Sequence, residues 1–139
     1  MDFYETLKAR TLGGGGGSGS GNLFDVDIES GGLDNSSGAE FENSYWIRTD
    51  DFITLPAGKY VLVWKSTSSQ YSDTLAAFVF LYNIEGTYTG RYSTSEAQAP
   101  IFLDISEEVQ IKVEWKTAAG YTSKVLSPDN ITNLGIFKM

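Results

Sequence analysis

The chain has 139 residues, a net charge of −8, no cysteine and no histidine. The absence of both residue types excludes disulfide bonds, thiolate metal sites and any nucleophile activated by histidine, so the composition favours a protein that is not an enzyme. Charges cancel within residues 1–21, which places the excess of acid on the rest of the chain. An acidic surface repels phosphate groups, and we therefore expect no binding to nucleic acid.

Residues 1–12 predict a short amphipathic helix. Asp2 and Glu5 have the spacing of a reciprocal helix cap, and Phe3 and Leu7 share a helix face because they are four residues apart. A helix this short is unstable alone in water, where roughly 12–15 residues are needed even for marginal stability. The segment is either a frayed terminus with an amphipathic sequence or an anchor that folds against a partner, and we favour the anchor. Its predicted contact residues are Phe3, Tyr4, Leu7 and Leu12.

Residues 13–21, with the sequence GGGGGSGSG, predict a flexible tether. A tether of this length spans at most about 30 Å when it is extended and roughly 15–18 Å on average as a random coil. The anchor and the domain at residues 22–139 are therefore expected to orient independently while they stay close together.

From residue 22 onward the apolar pattern has the period of two that is typical of β-strands. In NLFDVDIE the residues Phe24, Val26 and Ile28 alternate with acidic ones, and in VQIKVEWK apolar and polar residues alternate throughout. The segments SYWIRTDDFITL, KYVLVWKS, TYTGRYS and NITNLGIFKM also have the composition of strands. About eight short strands joined by glycine, serine and aspartate turns predict an all-β fold, an antiparallel sandwich or jelly roll.

The segment TLAAFVFLYN is apolar on both faces from Leu75 to Tyr82. Such a strand is central in its sheet and needs cover on both sides. We expect the facing sheet to cover one side, and loops or a neighbouring subunit to cover the other. The second of these alternatives favours a homo-oligomer.

The motifs of the domain follow a definite order: NLF, then Trp46 before TDDFITLPAGKYVLV, then FVFLYN and GRYST, then PIFLDISEEVQIKVEW and ITNLGIFKM. This order resembles the small jelly-roll, carbohydrate-binding-module-like domains of structural proteins from tailed bacteriophages and prophages. The start LKARTLGGGGG is similar to the helix and polyglycine starts of small virion proteins. These motifs consist of turn and core residues, so the resemblance indicates fold more directly than function.

The resemblance implies a non-enzymatic virion structural protein, displayed as a tail or baseplate appendage, a capsid decoration or a head fibre. It implies attachment to other virion proteins through residues 1–12 and, by analogy with phage appendages, a homotrimer. The sequence has no run of about eighteen apolar residues and no signal-peptide pattern, which predicts synthesis in the host cytoplasm without membrane insertion. A stand-alone module for adhesion to bacterial surface glycans is an alternative function, and a small polysaccharide depolymerase is a third hypothesis.

Acidic residues suggest two kinds of chemistry. Asp25, Asp27 and Glu29 share a strand face, and Asp50 and Asp51 lie beside a turn, so oxygen ligands for calcium are present in number. The alternative is a solvated acidic face. Glycoside hydrolysis also uses pairs of carboxylates, although neighbouring residues on a strand point to opposite faces and do not form a pair by themselves. The candidates for that chemistry are Asp50, Asp51, Glu107 and Glu108. Apart from calcium, no cofactor is predicted.

Several tyrosines lie in turn-rich polar segments. Tyrosine has a flat apolar face and a polar tip, which suits stacking on a sugar ring or packing at a wet interface. Tyr88 and Tyr92 are four residues apart on one predicted strand, so we expect them on one face. The alternative is that the tyrosines fill the edge of the sandwich or a subunit contact. The candidates are Tyr71, Tyr88, Tyr92 and Tyr121.

Overall fold

The computed structural model describes residues 21–67, 75–93, 100–117 and 125–139. Within these ranges the chain is all-β, as predicted, apart from one turn of 3-10 helix at Pro128–Asn130. The strands are β1 (Ile28–Ser30), β2 (Gly32–Leu33), β3 (Glu40–Phe41), β4 (Ile47–Thr49), β5 (Ile53–Leu55), β6 (Gly58–Ser66), β7 (Leu75–Tyr82), β8 (Tyr88–Ser93), β9 (Ile101–Ile105), β10 (Val109–Thr117) and β11 (Ile131–Lys138). The predicted anchor, and the tether before Gly21, lie outside the described residues. The described part of the chain has no helix long and apolar enough to cross a membrane.

The strands form two main sheets and one hairpin, and every pairing is antiparallel. The large sheet has the order β1-β4-β10-β7-β8, and β5 also pairs with β10. The small sheet has the order β11-β6-β9, and the hairpin consists of β2 and β3. The predicted strand SYWIRTDDFITL is therefore two strands, β4 and β5, which pair with successive parts of β10 on the edge opposite β7.

One apolar core receives side chains from both main sheets. In β10 of the large sheet, Ile111, Val113 and Trp115 are fully buried, as their alternation predicted. In β6 of the small sheet, Leu62 and Trp64 point into the same core. The two sheets thus bury their apolar faces against each other, which makes the fold sandwich-like.

Strand β7 is covered on both faces, as its doubly apolar sequence predicted. Ala77 and Val79 belong to the core between the sheets, whereas Phe80 and Tyr82 belong to a second buried cluster with Leu33 of β2. The cover over the second cluster therefore comes from an earlier segment of the same chain. For this reason the apolar sequence of β7 does not by itself require a neighbouring subunit.

Strand β11 contains a bulge that is held by a side chain from the start of the domain. Its pairing with β6 shifts register between Thr132 and Gly135, and Asn133 has a positive φ of 50°. The side chain of Asn22 binds the strand just after this point: Nδ2 donates to the carbonyl of Leu134 at 3.0 Å, and Oδ1 accepts from the amide of Ile136 at 3.0 Å. Asn22 therefore fixes the place where the chain enters the domain.

Candidate functional site

Residues 31–42, which we call the strap, carry β2 and β3 across the outer face of the large sheet. Two tyrosines of the sheet hold it: the hydroxyl of Tyr82 donates to the carbonyl of Gly38 at 2.6 Å, and the hydroxyl of Tyr88 donates to the carbonyl of Asn35 at 3.0 Å. Lys112 of β10 adds an ion pair to Glu40 at 3.1 Å. The strap is thus fastened along its length to β7, β8 and β10.

A buried carboxylate lies beneath the strap. Glu114 of β10 is 0 % exposed; its Oε2 accepts a hydrogen bond from the amide of Leu33 at 2.6 Å. Its Oε1 has no hydrogen-bond partner among the described residues, and the nearest cation is the Lys116 ammonium at 3.8 Å. Burial raises the pKa of the Glu114 carboxyl, while the Leu33 amide and Lys116 oppose that rise.

Lys116 lies between two aromatic rings next to this carboxylate. Its Nζ is 4.6 Å from the ring centroid of Trp46 and 4.7 Å from that of Phe78. The guanidinium of Arg91 lies over Phe78 as well, at 4.9 Å. Because an ammonium is attracted to the face of an aromatic ring, Trp46 and Phe78 hold Lys116 beside Glu114 on the outer face of the sheet.

A polar cleft of about 390 Å³ opens at the edge of the strap. It lies between β1 and the turn that follows β3, and all of its lining residues can form hydrogen bonds. The lining residues are Glu29, Ser30, Glu42, Asn43, Ser44 and Arg48. Phe41 and Tyr45, which flank the turn in sequence, are 39 % and 40 % exposed. Hydrogen-bonding groups beside exposed aromatic rings are the components of a site for a polar ligand with apolar patches.

Arg48 fixes one wall of this polar cleft. Its guanidinium makes a two-nitrogen contact with Oε2 of Glu29, from Nε at 2.9 Å and from Nη2 at 2.8 Å. Its Nη1 donates to the carbonyls of Gly32 and Phe41 at 2.9 Å each. Two-nitrogen contacts of this kind hold both partners in one orientation. Within the described residues Oε1 of Glu29 has no hydrogen-bond partner, so it is an available acceptor held in place.

Asn43 supplies a donor that is held just as firmly. Its Oδ1 accepts from the backbone amides of Tyr45 at 2.7 Å and Trp46 at 3.1 Å. Since both neighbours are donors, the carboxamide has only one suitable orientation, which leaves Nδ2 without a partner in the described part of the chain. The polar cleft therefore presents a fixed donor from Asn43 and a fixed acceptor from Glu29.

The predicted tyrosine platform is divided by a bulge in β8. Tyr92 pairs with Val79 and Tyr88 pairs with Tyr82, with a register shift between them that leaves Thr89 as an extra residue. Tyr88 therefore packs in the cluster beneath the strap, whereas Tyr92 packs against the core between the sheets. The prediction that these two tyrosines share a face is wrong because the bulge reverses the alternation. Tyr71 and Tyr121 lie outside the described residues.

The four aspartates predicted as calcium ligands are exposed, and two of them, Asp50 and Asp51, accept hydrogen bonds from nearby backbone amides. Asp50 and Asp27 are neighbours, because Oδ1 of Asp50 accepts from the amide of Asp27 at 3.2 Å. Oδ1 of Asp51 accepts from the amide of Phe52 at 2.7 Å, and Asp25 is exposed. Within the described ranges, no group of three or more acidic side chains is placed to hold a metal ion.

The remaining candidates lie apart from the polar cleft. Glu107 and Glu108 line a separate surface hollow with Asn83, Ile84 and Glu85, so they are not brought together with Asp50 or Asp51. The anchor residues lie outside the described part of the chain; they are Phe3, Tyr4, Leu7 and Leu12.

Comparison of the chain with models of protein families, with curated proteins and with solved structures found no match.

Proposed function

We propose that this protein is a non-enzymatic structural protein of a bacteriophage particle. In this proposal a β-sandwich of the jelly-roll type is displayed through the anchor at residues 1–12 and the tether at residues 13–21. The particle carries it as a tail or baseplate appendage, or as a capsid decoration or head fibre. The support is the order of the parts: a short amphipathic segment that is not stable alone as a helix, a glycine tether, and a domain with its own core.

The observation that carries this proposal is the fastening of the chain where the tether ends. Asn22 makes two side-chain hydrogen bonds to β11, and the amide of Leu23 donates to the carbonyl of Ile136 at 2.8 Å. A tether that carries a domain needs a defined attachment point, and these three bonds provide one.

Incorporation into particles tests the proposal. Particles produced with a chain lacking residues 2–12 are expected to contain none of the protein, and a full-length Phe3→Ala/Leu7→Ala variant is expected to be depleted at least several-fold. Thr6→Ala changes a polar residue of the same segment and is the matched control. Quantitative immunoblotting of purified particles measures the result. Unchanged incorporation of the shortened chain would show that the anchor hypothesis is wrong.

The polar cleft favours a second function, adhesion to bacterial surface glycans. Sugar hydroxyls are both donors and acceptors, and their recognition uses fixed polar groups beside an aromatic surface. Asn43 and Glu29 supply fixed polar groups, and the exposed aromatic residues Phe41 and Tyr45 flank the turn in sequence. We place the glycan site here, because the bulge in β8 divides the tyrosine platform.

An isosteric substitution separates binding from folding at this cleft. Asn43→Asp keeps the oxygen that accepts from the amides of Tyr45 and Trp46 but replaces the free donor with an acceptor, so glycan binding is expected to fall about tenfold or more. Asn35→Asp makes the same charge change on the strap, outside the cleft, and is expected to bind like the wild type. Glycan-array binding of the purified protein is the measurement. Equal binding by both variants would remove the cleft as the site.

A further inference from the structure

A second groove, which we call the side groove, opens where the edges of the two main sheets face each other. It has a volume of about 500 Å³ and lies between the segment that contains β1 and the beginning of β11. Its lining residues are Phe24, Val26, Asp27, Ile28, Pro128 and Leu134. It is therefore distinct from the polar cleft, which lies at the edge of the strap.

Most of the wall of the side groove is apolar and half-buried. Phe24, Val26, Ile28 and Leu134 pack against the core with one side and leave the other side open to the groove. Phe24 extends this packing to Trp115, at a ring-centroid distance of 6.3 Å. Covering such surface is favourable by about 25 cal/mol per Å², so the groove suits a ligand with a few apolar side chains.

We propose that residues 2–12 of the same chain bind in the side groove, with Phe3 and Leu7 against its apolar wall. The first argument is the place where the tether ends. Asn22 donates to the carbonyl of Leu134, which lines the groove. The tether therefore ends at the groove, and its average span of roughly 15–18 Å keeps residues 2–12 within reach.

Charge complementarity is the second argument. Asp27 lines the groove, Asp50 contacts Asp27, and both residues are exposed. Residues 2–12 carry Lys8 and Arg10 toward their carboxyl end, away from Asp2 and Glu5. Opposite charges on exposed side chains attract each other modestly, and salt weakens the attraction. The acidic residues at the groove therefore favour this segment over an acidic peptide.

The tether makes weak binding sufficient. A short flexible tether gives an effective concentration on the order of millimolar, so a peptide with a millimolar dissociation constant already occupies the groove about half of the time. Binding of the segment to its own domain then competes with its binding to a partner. The free protein covers the apolar face of its anchor, and a partner of higher affinity releases it.

Nuclear magnetic resonance of the full-length chain in solution tests this proposal without any particle, so its outcome is separate from the incorporation experiment. The backbone amides of Val26, Ile28 and Leu134 are expected to shift between wild type and Phe3→Ala/Leu7→Ala, whereas Thr6→Ala leaves them unchanged. Amides elsewhere in the domain report that the fold is intact. Added salt is expected to move the wild-type signals toward those of the double variant.

Addition of a synthetic peptide of residues 1–12 measures the competition directly. The peptide is expected to bind the Phe3→Ala/Leu7→Ala chain about two- to tenfold more tightly than it binds the wild type, because the wild-type groove is partly occupied. Groove amides that are identical in wild type and double variant would overturn the proposal. Shifts that grow with protein concentration would also overturn it, since they would assign the bound segment to a second copy.

Discussion

Replacement of Glu114 tests the physical account of the strap most directly. Glu114→Ala removes the acceptor from the buried amide of Leu33 and leaves a cavity under the strap. A buried amide without a partner costs about 1–3 kcal/mol, and the loss of buried side-chain atoms adds roughly 1–2 kcal/mol. We expect Glu114→Ala to lower the free energy of unfolding by about 2–5 kcal/mol.

Glu114→Gln separates the charge of this group from its shape. The amide oxygen of glutamine still accepts from Leu33, while the buried negative charge is gone. The loss of a charge-assisted bond and the relief of desolvation oppose each other. We therefore expect a change in the free energy of unfolding within about 1 kcal/mol at neutral pH.

The pH dependence of the same variant has a definite sign. Burial raises the pKa of Glu114 in the folded state above its ordinary value of 4.5, so the folded state binds the proton more tightly than the unfolded chain. This group therefore contributes stability below pH 4.5, and that stability is lost as the pH rises through the folded-state pKa. The stability of the wild type minus that of Glu114→Gln should decrease between pH 4 and pH 8.

Urea unfolding of the wild type and both variants across this pH range is the assay, with tryptophan fluorescence as the signal. If Glu114→Ala and Glu114→Gln lose the same free energy of unfolding, the hydrogen bond from the Leu33 amide contributes nothing and the predicted role of Glu114 is wrong. It is also refuted by a stability difference between wild type and Glu114→Gln that does not change with pH.

Two further predictions concern a glycine of the strap and the side chain of Asn22, and each has a matched control. Gly38 and Gly86 both have positive φ, 70° and 88°, but only at Gly38 would a Cβ approach Tyr88, at 2.7 Å, whereas at Gly86 nothing lies within 4 Å. Gly86→Ala is therefore expected to lower the free energy of unfolding by about 1–2 kcal/mol from conformation alone, and Gly38→Ala by about 1–3 kcal/mol more. Thermal unfolding measures both. Equal losses of stability would mean that the strap is not packed on Tyr88. Asn22→Ala removes two hydrogen bonds to β11 and is expected to lower the free energy of unfolding by about 1–3 kcal/mol. Asn35→Ala on the strap surface is the control and should lower it by less than about 0.5 kcal/mol. If urea unfolding gives the same stability for both variants, Asn22 does not fasten the end of the tether.

The all-β class and much of the core could be predicted because strand alternation is a local property. The burial of Ile111, Val113 and Trp115 follows from a period of two, whereas the need to cover both faces of β7 follows from its lack of polar residues at alternate positions. The bulge at Thr89 could not be predicted in this way. One extra residue reverses the alternation without altering composition, and this is why Tyr88 and Tyr92 separate.

The polar cleft and the buried carboxylate were also beyond the sequence analysis. Glu114 stands between Lys112 and Lys116 in a clean alternation, which is typical of a solvated strand face. Only the strap, whose sequence is that of an ordinary cluster of turns, turns this face into an interior. The cleft depends on Arg48, whose contacts join segments that are distant in sequence. The signal available in the sequence was that β7 is apolar on both faces and so needs a cover, while its neighbour β10 carries charged residues on the face to be covered.

The way in which the strap is fastened has a consequence for how this surface can change. Tyr82, Tyr88 and Arg48 bind carbonyl oxygens of the strap, and Glu114 binds one of its amides. Main-chain atoms are the same for every amino acid, apart from the missing amide hydrogen of proline. Outward-facing strap positions such as Ser36 and Ser37 can therefore diversify while the grip on the strap persists. The sheet holds the main chain of the strap whatever side chains face outward, so substitutions at those positions can change the surface without loss of the fold.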